Sequence, residues 1–434
     1  MCDWKQPTRA WAAALAVAAT FAFSIARALH MGPIFQQSDV GYYLQMARGD
    51  IHSEMQPFAS RQLGPAVVRL LAWILHWPVE RAFILQGAIS LLVTLGVVYF
   101  LITRSGAPRW ILVAIAIVPF WPQLFVGLAL PDLWYAALLA VFLLLVAQRR
   151  YLPAACMMFP LMVSRESTLL TVFCFLVTGW KPLRWPGRLL TLAAGYAGSL
   201  LVKLLTAQNP GNLEHLPPSL YMLAKVPWNF MLNVLGVVPW SNVNMLECGV
   251  PAWQHSLHLG PVSAVGVCGV SSLMPLECLL ALLNTFGLLP LLVVFLWRRR
   301  KKSSERTVLL QFCLLYGTIS FLLAPVIGVW FSRLFGYSWP LFALALPLLF
   351  NDLSAKPLKA RATATAFLFL LLHLVDCFLL SYLPYGAYPP ALTGICFVLA
   401  LYLAGFAVLR WGWGRPEGSF NTTPPEPLRE APAW

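Results

Sequence analysis

The sequence predicts an all-α, polytopic membrane protein of about twelve transmembrane helices, with short juxtamembrane helices in its first outer loop. Three observations carry that reading. Of 434 residues, 59% are hydrophobic and 11% charged, and the mean hydropathy is +0.73. The apolar runs are about 20 residues long, the length that crosses roughly 30 Å of hydrocarbon at about 1.5 Å per residue. They are rich in Leu, Ala, Phe and Val without strict alternation, which fits helices and not the strands of a barrel.

The first run, 11–30, follows Lys5 and Arg9, so the N-terminus is expected inside and the helix retained. Further spans are expected at 81–103, 109–130, 133–148, 152–163, 167–180, 188–207, 276–297, 307–329, 337–351, 362–383 and 390–410. Residues 31–80 read as an outer loop with short helices, of which 64–77 is amphipathic and suited to the membrane interface. Residues 208–275 read as a second outer segment whose apolar middle, Trp228 to Trp240, is expected to dip into the bilayer. The stretch from Tyr151 to Trp180 could be one helix with Arg165 and Glu166 at its centre, but Lys181, Arg184 and Arg188 would then lie outside. Two short arms meeting at Ser164-Arg165-Glu166-Ser167 keep both basic flanks inside. Such a break within the membrane must be covered by protein or line a wet cavity. The expected organisation is thus one membrane domain over 1–410, then a Pro-rich, disordered cytoplasmic tail over 411–434.

The net charge of +14 could suggest nucleic acid, but its placement argues otherwise. Basic residues gather in short connectors: Arg104/Arg109, Arg149/Arg150, Lys181/Arg184/Arg188, Arg298 to Lys302, and Lys356/Lys359/Arg361. That is the positive-inside pattern, so the expected partner is the bilayer and not nucleic acid. Most cysteines fall inside apparent helices as small packing residues, while Cys248 and Cys268 share the second outer segment and leave a disulfide open there. No Cys/His spacing suits a metal, so no metal site is indicated.

Once the topology is laid out, the exceptions to the charge rule stand apart. Arg48, Arg61, Arg69, Arg81, Arg165, Lys225 and Arg333 fall on the outer side, with Asp39, Asp50, Glu54, Asp132, Glu166, Glu214 and Glu247. Ionisable groups held at a membrane rim against insertion preference point to local work. Asp39, just before Tyr42 and Tyr43, reads either as a general base or as a helix cap. Asp132 follows Pro131 at the start of a descending helix, where a cap is the plain reading. Arg165 and Glu166 could pair with each other across the apex. Arg333, in an aromatic loop running to Tyr337 and Pro340, is either a snorkelling arginine or a phosphate clamp.

In this order the pieces resemble the GT-C-type integral-membrane glycosyltransferases, which use polyprenyl-phosphate-linked sugars. The first outer loop matches that family's pattern at Asp39, Tyr42, Tyr43, Pro57, Phe58, Arg61, Leu63 and Pro65. Pro131-Asp132 fits its acid at the top of the fourth span, and Ser164-Arg165-Glu166-Ser167 its apex after a short fifth helix. Ser332-Arg333-Leu334-Phe335 with Pro340 is a looser match to its late arginine loop. There is no Asp-x-Asp after the first helix, which argues against a metal-dependent variant, and no soluble C-terminal domain is expected.

The resemblance implies a GT-C-like fold and an inverting glycosyltransferase, hexosyl or pentosyl, acting on the periplasmic or luminal face of a bacterial inner membrane. Asp39 would be the general base. Arg333, Arg61 and Arg165 would hold the donor phosphate; Asp132, Glu166, Tyr42 and Tyr43 would bind acceptor or orient those groups. The implied partners are a polyprenyl-phosphate-linked sugar, a glycan, lipid or protein acceptor, and the bilayer, with no cofactor required. The competing reading is a secondary transporter, or a flippase or polymerase for lipid-linked glycans.

Overall fold

The computed structural model describes residues 7–30, 39–54, 58–209, 218–241, 253–255, 265–299, 307–328, 331–351, 359–379 and 390–413. Each of the twelve expected spans coincides with an apolar helix or a broken pair of helices. Among the described residues seven helices are long and apolar enough to cross a membrane, and the bent pair Leu273–Asn284 and Leu289–Arg299 makes an eighth if counted as one span. The expected tail lies outside the described residues except for 411–413, which continue the last helix, Pro390–Trp413.

The stretch expected as the first outer loop forms helix Val40–Arg48, a short 3₁₀ turn at Phe58–Ser60, and helix Leu63–Leu75. Leu63–Leu75 buries Gly64, Pro65 and Val68 while leaving Trp73 74% exposed, as expected of a helix whose outer face meets lipid at the interface. The second outer segment departs from expectation. Helix Pro218–Asn233 ends before Gly236, which takes φ +69°, and the chain continues as strands: β1 Val237–Ser241, β2 Trp253–His255 and β3 Val265–Val270. They form an antiparallel sheet in the order β1-β3-β2, with an irregularity between Val238 and Pro239. Val237-Val238 and the Val-Gly-Val run of β3 are strand-forming, and Pro239, with no N–H to give, sits where the register shifts. The membrane body is all-α as read, and the second outer segment adds this small sheet to it. Cys268, on β3, is disulfide-bonded.

Several spans expected to be continuous are broken, and each break is chemically accounted for. In 109–130 the chain forms Arg109–Ala116 and Phe120–Val126. The Ile115 carbonyl would ordinarily receive the N–H of residue 119, but Pro119 has none. The Trp121 indole N–H donates to that carbonyl instead, at 2.8 Å. The pair Leu273–Asn284 and Leu289–Arg299 bends by 61°. There the Leu288 N–H donates to His373 Nδ1 at 3.0 Å, and the Tyr402 hydroxyl lies 2.9 Å from the Leu283 carbonyl and 2.8 Å from that of Gly287. Backbone groups freed inside a membrane must be satisfied by protein, and His373 and Tyr402, from the last two helices, do so.

The stretch 151–180 breaks as the charge pattern requires, into Tyr151–Cys156 and Met158–Ser164, then Thr168–Thr178, with the apex at 165–167. From Tyr151 to Ser164 the rise is about 21 Å, less than a bilayer's core. Helix Arg184–Leu205 covers this arm, approaching so closely at Gly198 that a Cβ would lie 2.8 Å from that of Met162. The apex is thereby held against the body of the protein.

Candidate active site

Five separate stretches of chain deliver ionisable groups to one place: the start of Val40–Arg48, the loop before Leu63–Leu75, the first turn of Pro131–Ala147, the apex at 165–167, and helix Phe331–Gly336. Gly336 permits the last of these to lie against Phe120, since a Cβ there would meet the Phe120 ring at 2.6 Å.

Asp132 is the hub. Its side chain is only 4% exposed, yet it makes no capping hydrogen bond to its own helix. Its carboxylate accepts instead from Arg165, from the Tyr337 hydroxyl, and from Arg333 Nε at 2.5 Å. Arg333 also faces Asp39, with Nη1 3.7 Å from Oδ2. Asp39 stands at the head of Val40–Arg48, its side chain 31% exposed, and it likewise makes no capping bond to that helix. Both cap readings therefore give way to ion pairs reaching across the fold, one of them over 201 residues of sequence.

A second pair flanks the first. Arg61 grips Glu166 with a forked contact, Nε to Oε2 at 3.1 Å and Nη2 to Oε1 at 2.5 Å, and donates through Nη1 to the Tyr43 hydroxyl at 3.0 Å. Arg165 and Glu166, neighbours in sequence, do not pair with each other as the sequence allowed. Arg165 is extended (φ −167°, ψ 138°), and successive side chains on extended backbone point opposite ways. So Arg165 turns inward to Asp132, with the Tyr337 ring 4.3 Å from its guanidinium carbon, and Glu166 turns to Arg61.

The aromatic residues of the first loop fix this geometry. Phe58 stacks on Tyr42 (centroids 4.3 Å, 14°) and meets Tyr43 edge-on (6.3 Å, 83°). Tyr43 is fully buried beneath Arg61, whereas Tyr42 stacks on Phe58. Pro57 lies outside the described residues. Arg48 pairs with Glu80 at 2.5 Å, a surface contact of little energetic consequence.

Beside the cluster opens a cavity of about 330 Å³. Asp132, Arg333 and Tyr337 form its charged wall, and most of the remainder is apolar, from Phe120, Leu124, Leu130 and Phe331 among others. Among the described residues no three His, Cys, Asp or Glu side chains converge as a metal cage. What the arrangement offers is a part-exposed carboxylate, Asp39, beside a guanidinium, Arg333, that itself lines an apolar cavity, with Arg165 and Arg61 in the same cluster.

No family model matches the chain, and no curated protein matches it. A solved structure of ArnT from Cupriavidus metallidurans, bound to undecaprenyl phosphate, is similar to it. The likeness covers 93% of this chain and 76% of that one, at 15% identity and a TM-score of 0.45. At that identity and score it settles neither fold nor activity.

Three groups at this site carry no role in the sequence reading: Tyr337, Gln123 and Glu277. Glu277 had a signal, as an isolated acid in the otherwise apolar helix Leu273–Asn284, and intramembrane acids mark sites by default. Tyr337 and Gln123 had none, because a single tyrosine or glutamine in an apolar stretch does not declare its partner.

The Glu166 pair makes a testable contribution to stability. Burial would raise its carboxyl, but the Arg61 guanidinium more than offsets that and holds it down at about 2. A depressed carboxyl stabilises the fold above its unfolded value, and the contribution disappears as pH falls through the folded one. In detergent, the melting temperature of the wild type is expected to drop between about pH 4.5 and 2 more steeply than that of Glu166→Gln. Because the side chain is 41% exposed, solvent screens the pair and the difference is modest. Parallel pH profiles for the two proteins would show that Arg61 does not hold the carboxylate charged.

Proposed function

We propose that this protein is an integral-membrane, inverting glycosyltransferase that moves a sugar from a polyprenyl-phosphate donor to an acceptor hydroxyl. The observation that carries the reading is the Asp39–Arg333 pair, 3.7 Å apart, of which Arg333 lines the apolar cavity. Asp39 takes the acceptor's hydroxyl proton as that oxygen bonds to the anomeric carbon. The bond from that carbon to the phosphate oxygen breaks on the opposite face, and its electron pair leaves with the phosphate. The leaving group needs charge stabilisation more than a proton, and Arg333 supplies it as a forked donor. Arg61 and Arg165 add positive potential from behind, each anchored by its own carboxylate, Glu166 or Asp132. Asp132 orients Arg333 and Arg165, and Tyr43 orients Arg61.

The placement of charge supports a periplasmic or luminal site in a bacterial inner membrane. Helix Pro131–Ala147 carries the chain about 25 Å from Asp132 to the Arg149/Arg150 connector, so the site lies away from a basic flank of the inside type. The disulfide at Cys268 fits an oxidising compartment for the outer segment.

Proteoliposomes supplied with synthetic prenyl-phosphoryl sugars and a crude envelope acceptor fraction test the assignment. The expected result is acceptor-dependent release of prenyl phosphate. A transporter would instead move labelled solute or lipid across the bilayer with every donor bond intact, and that outcome would replace the proposal.

A further inference from the structure

The cavity holds two polar groups that the charge cluster does not use. Gln123, from Phe120–Val126, and Glu277, from Leu273–Asn284, both line it. Gln123 Oε1 is buried and has no hydrogen-bond partner among the described residues. Among those residues no ion pair or hydrogen bond reaches the Glu277 carboxylate either. Ala281, one helical turn beyond Glu277, lines the same cavity.

A buried acceptor without a donor is costly, and Gln123 Oε1 is one; Glu277, half-buried, adds an unpaired carboxylate to the same largely apolar lining. The occupant that completes them must bring hydrogen-bond donors. A prenyl tail has none. A phosphate has few or none and is anionic, so Glu277 repels it. A cavity of about 330 Å³ falls in the range of small-molecule sites, about 300–1,000 Å³. Apolar and aromatic walls with a few placed polar groups are the usual make-up of such a site.

We infer that Gln123 and Glu277 form the subsite for the transferred sugar, accepting hydrogen bonds from its ring hydroxyls while Arg333 holds the phosphate at the mouth. The inference rests on the glycosyl-transfer reading above and adds to it the residues that select the sugar. Neither side chain touches the reacting bond; both are specificity-determining.

The test compares full-length wild type, Glu277→Gln and Gln123→Leu in nanodiscs. Affinities are measured for bare undecaprenyl phosphate and for a panel of undecaprenyl-phosphoryl hexoses and pentoses. Wild type is expected to bind at least one sugar-bearing lipid about tenfold or more tighter than the bare lipid. Each variant is expected to lose about tenfold of that gap, the worth of one hydrogen bond involving a charged or buried partner, with bare-lipid affinity unchanged within about twofold. A gap that survives in both variants overturns the inference, as does a wild type that binds the bare lipid with no gap for any sugar. Equal losses for bare and sugar-bearing lipids overturn it too, because the two side chains would then serve the phosphate or the fold. A wild type that binds no prenyl phosphate at all defeats the glycosyl-transfer reading itself.

Discussion

Asp39→Asn is expected to express, insert and melt like the wild type while losing sugar transfer by about 10²–10⁴-fold, the usual contribution of a positioned general base. The physical grounds are specific. Asp39 is 31% exposed and contributes no capping bond to its helix, so the amide costs little in folding. The amide keeps the shape beside Arg333 but cannot accept a proton from the acceptor at working pH. The loss should fall on kcat with little change in KM for the donor lipid, because the phosphate contacts survive. Near-normal turnover would show that another group takes the proton.

Arg333→Lys is expected to lower transfer by about 10²–10³-fold, in line with removal of one preorganised donor from a developing anion. The charge is retained, so the size of the loss isolates geometry. Arg333 reaches Asp132 through Nε and Asp39 through Nη1 at once, and a lysine's single ammonium cannot bridge both while also meeting a phosphate. The fold should survive, since Asp132 keeps Arg165 and Tyr337. Asp132→Ala is the harsher change for stability. It strands the Arg165 guanidinium, whose side chain is only 8% exposed, and leaves Arg333 with Asp39 alone of its two carboxylates; breaking a buried pair in this way costs about 3–5 kcal/mol.

Charge placement and run length made most of the fold readable in the sequence. The broken arm at 165–167 followed from keeping Lys181, Arg184 and Arg188 on the basic side, and the helices break there. The break near Pro119 was equally available, since a proline must orphan the Ile115 carbonyl, but its apolar surroundings read as one span. The bend at 285–288 was less available, because its support comes from His373 and Tyr402, distant residues with no local signal. The first strand, Val237–Ser241, was hidden by the hydrophobicity of Trp228 to Trp240, which suits a membrane dip as well as a sheet.

The candidate site was legible as a set of residues and not as a set of pairs. Asp39, Arg61, Asp132, Arg165, Glu166 and Arg333 all announced themselves as ions outside the basic connectors, and all six gather in one place. Which ion meets which depends on backbone direction at single residues. The extended conformation of Arg165 sends it and Glu166 to different partners, a detail that residue spacing does not encode. Glu277 escaped notice because it lies within an apolar run, where one acid changes the hydropathy little.

The most direct measurement of the central claim is a cryo-EM structure of the protein in nanodiscs with undecaprenyl phosphate. The account predicts phosphate density against Arg333, within reach of Asp39, with the first prenyl units entering along the apolar side of the cavity mouth. Phosphate density elsewhere, for instance beside the Arg149/Arg150 connector, with Arg333 still closed on Asp132 and Asp39, would contradict it.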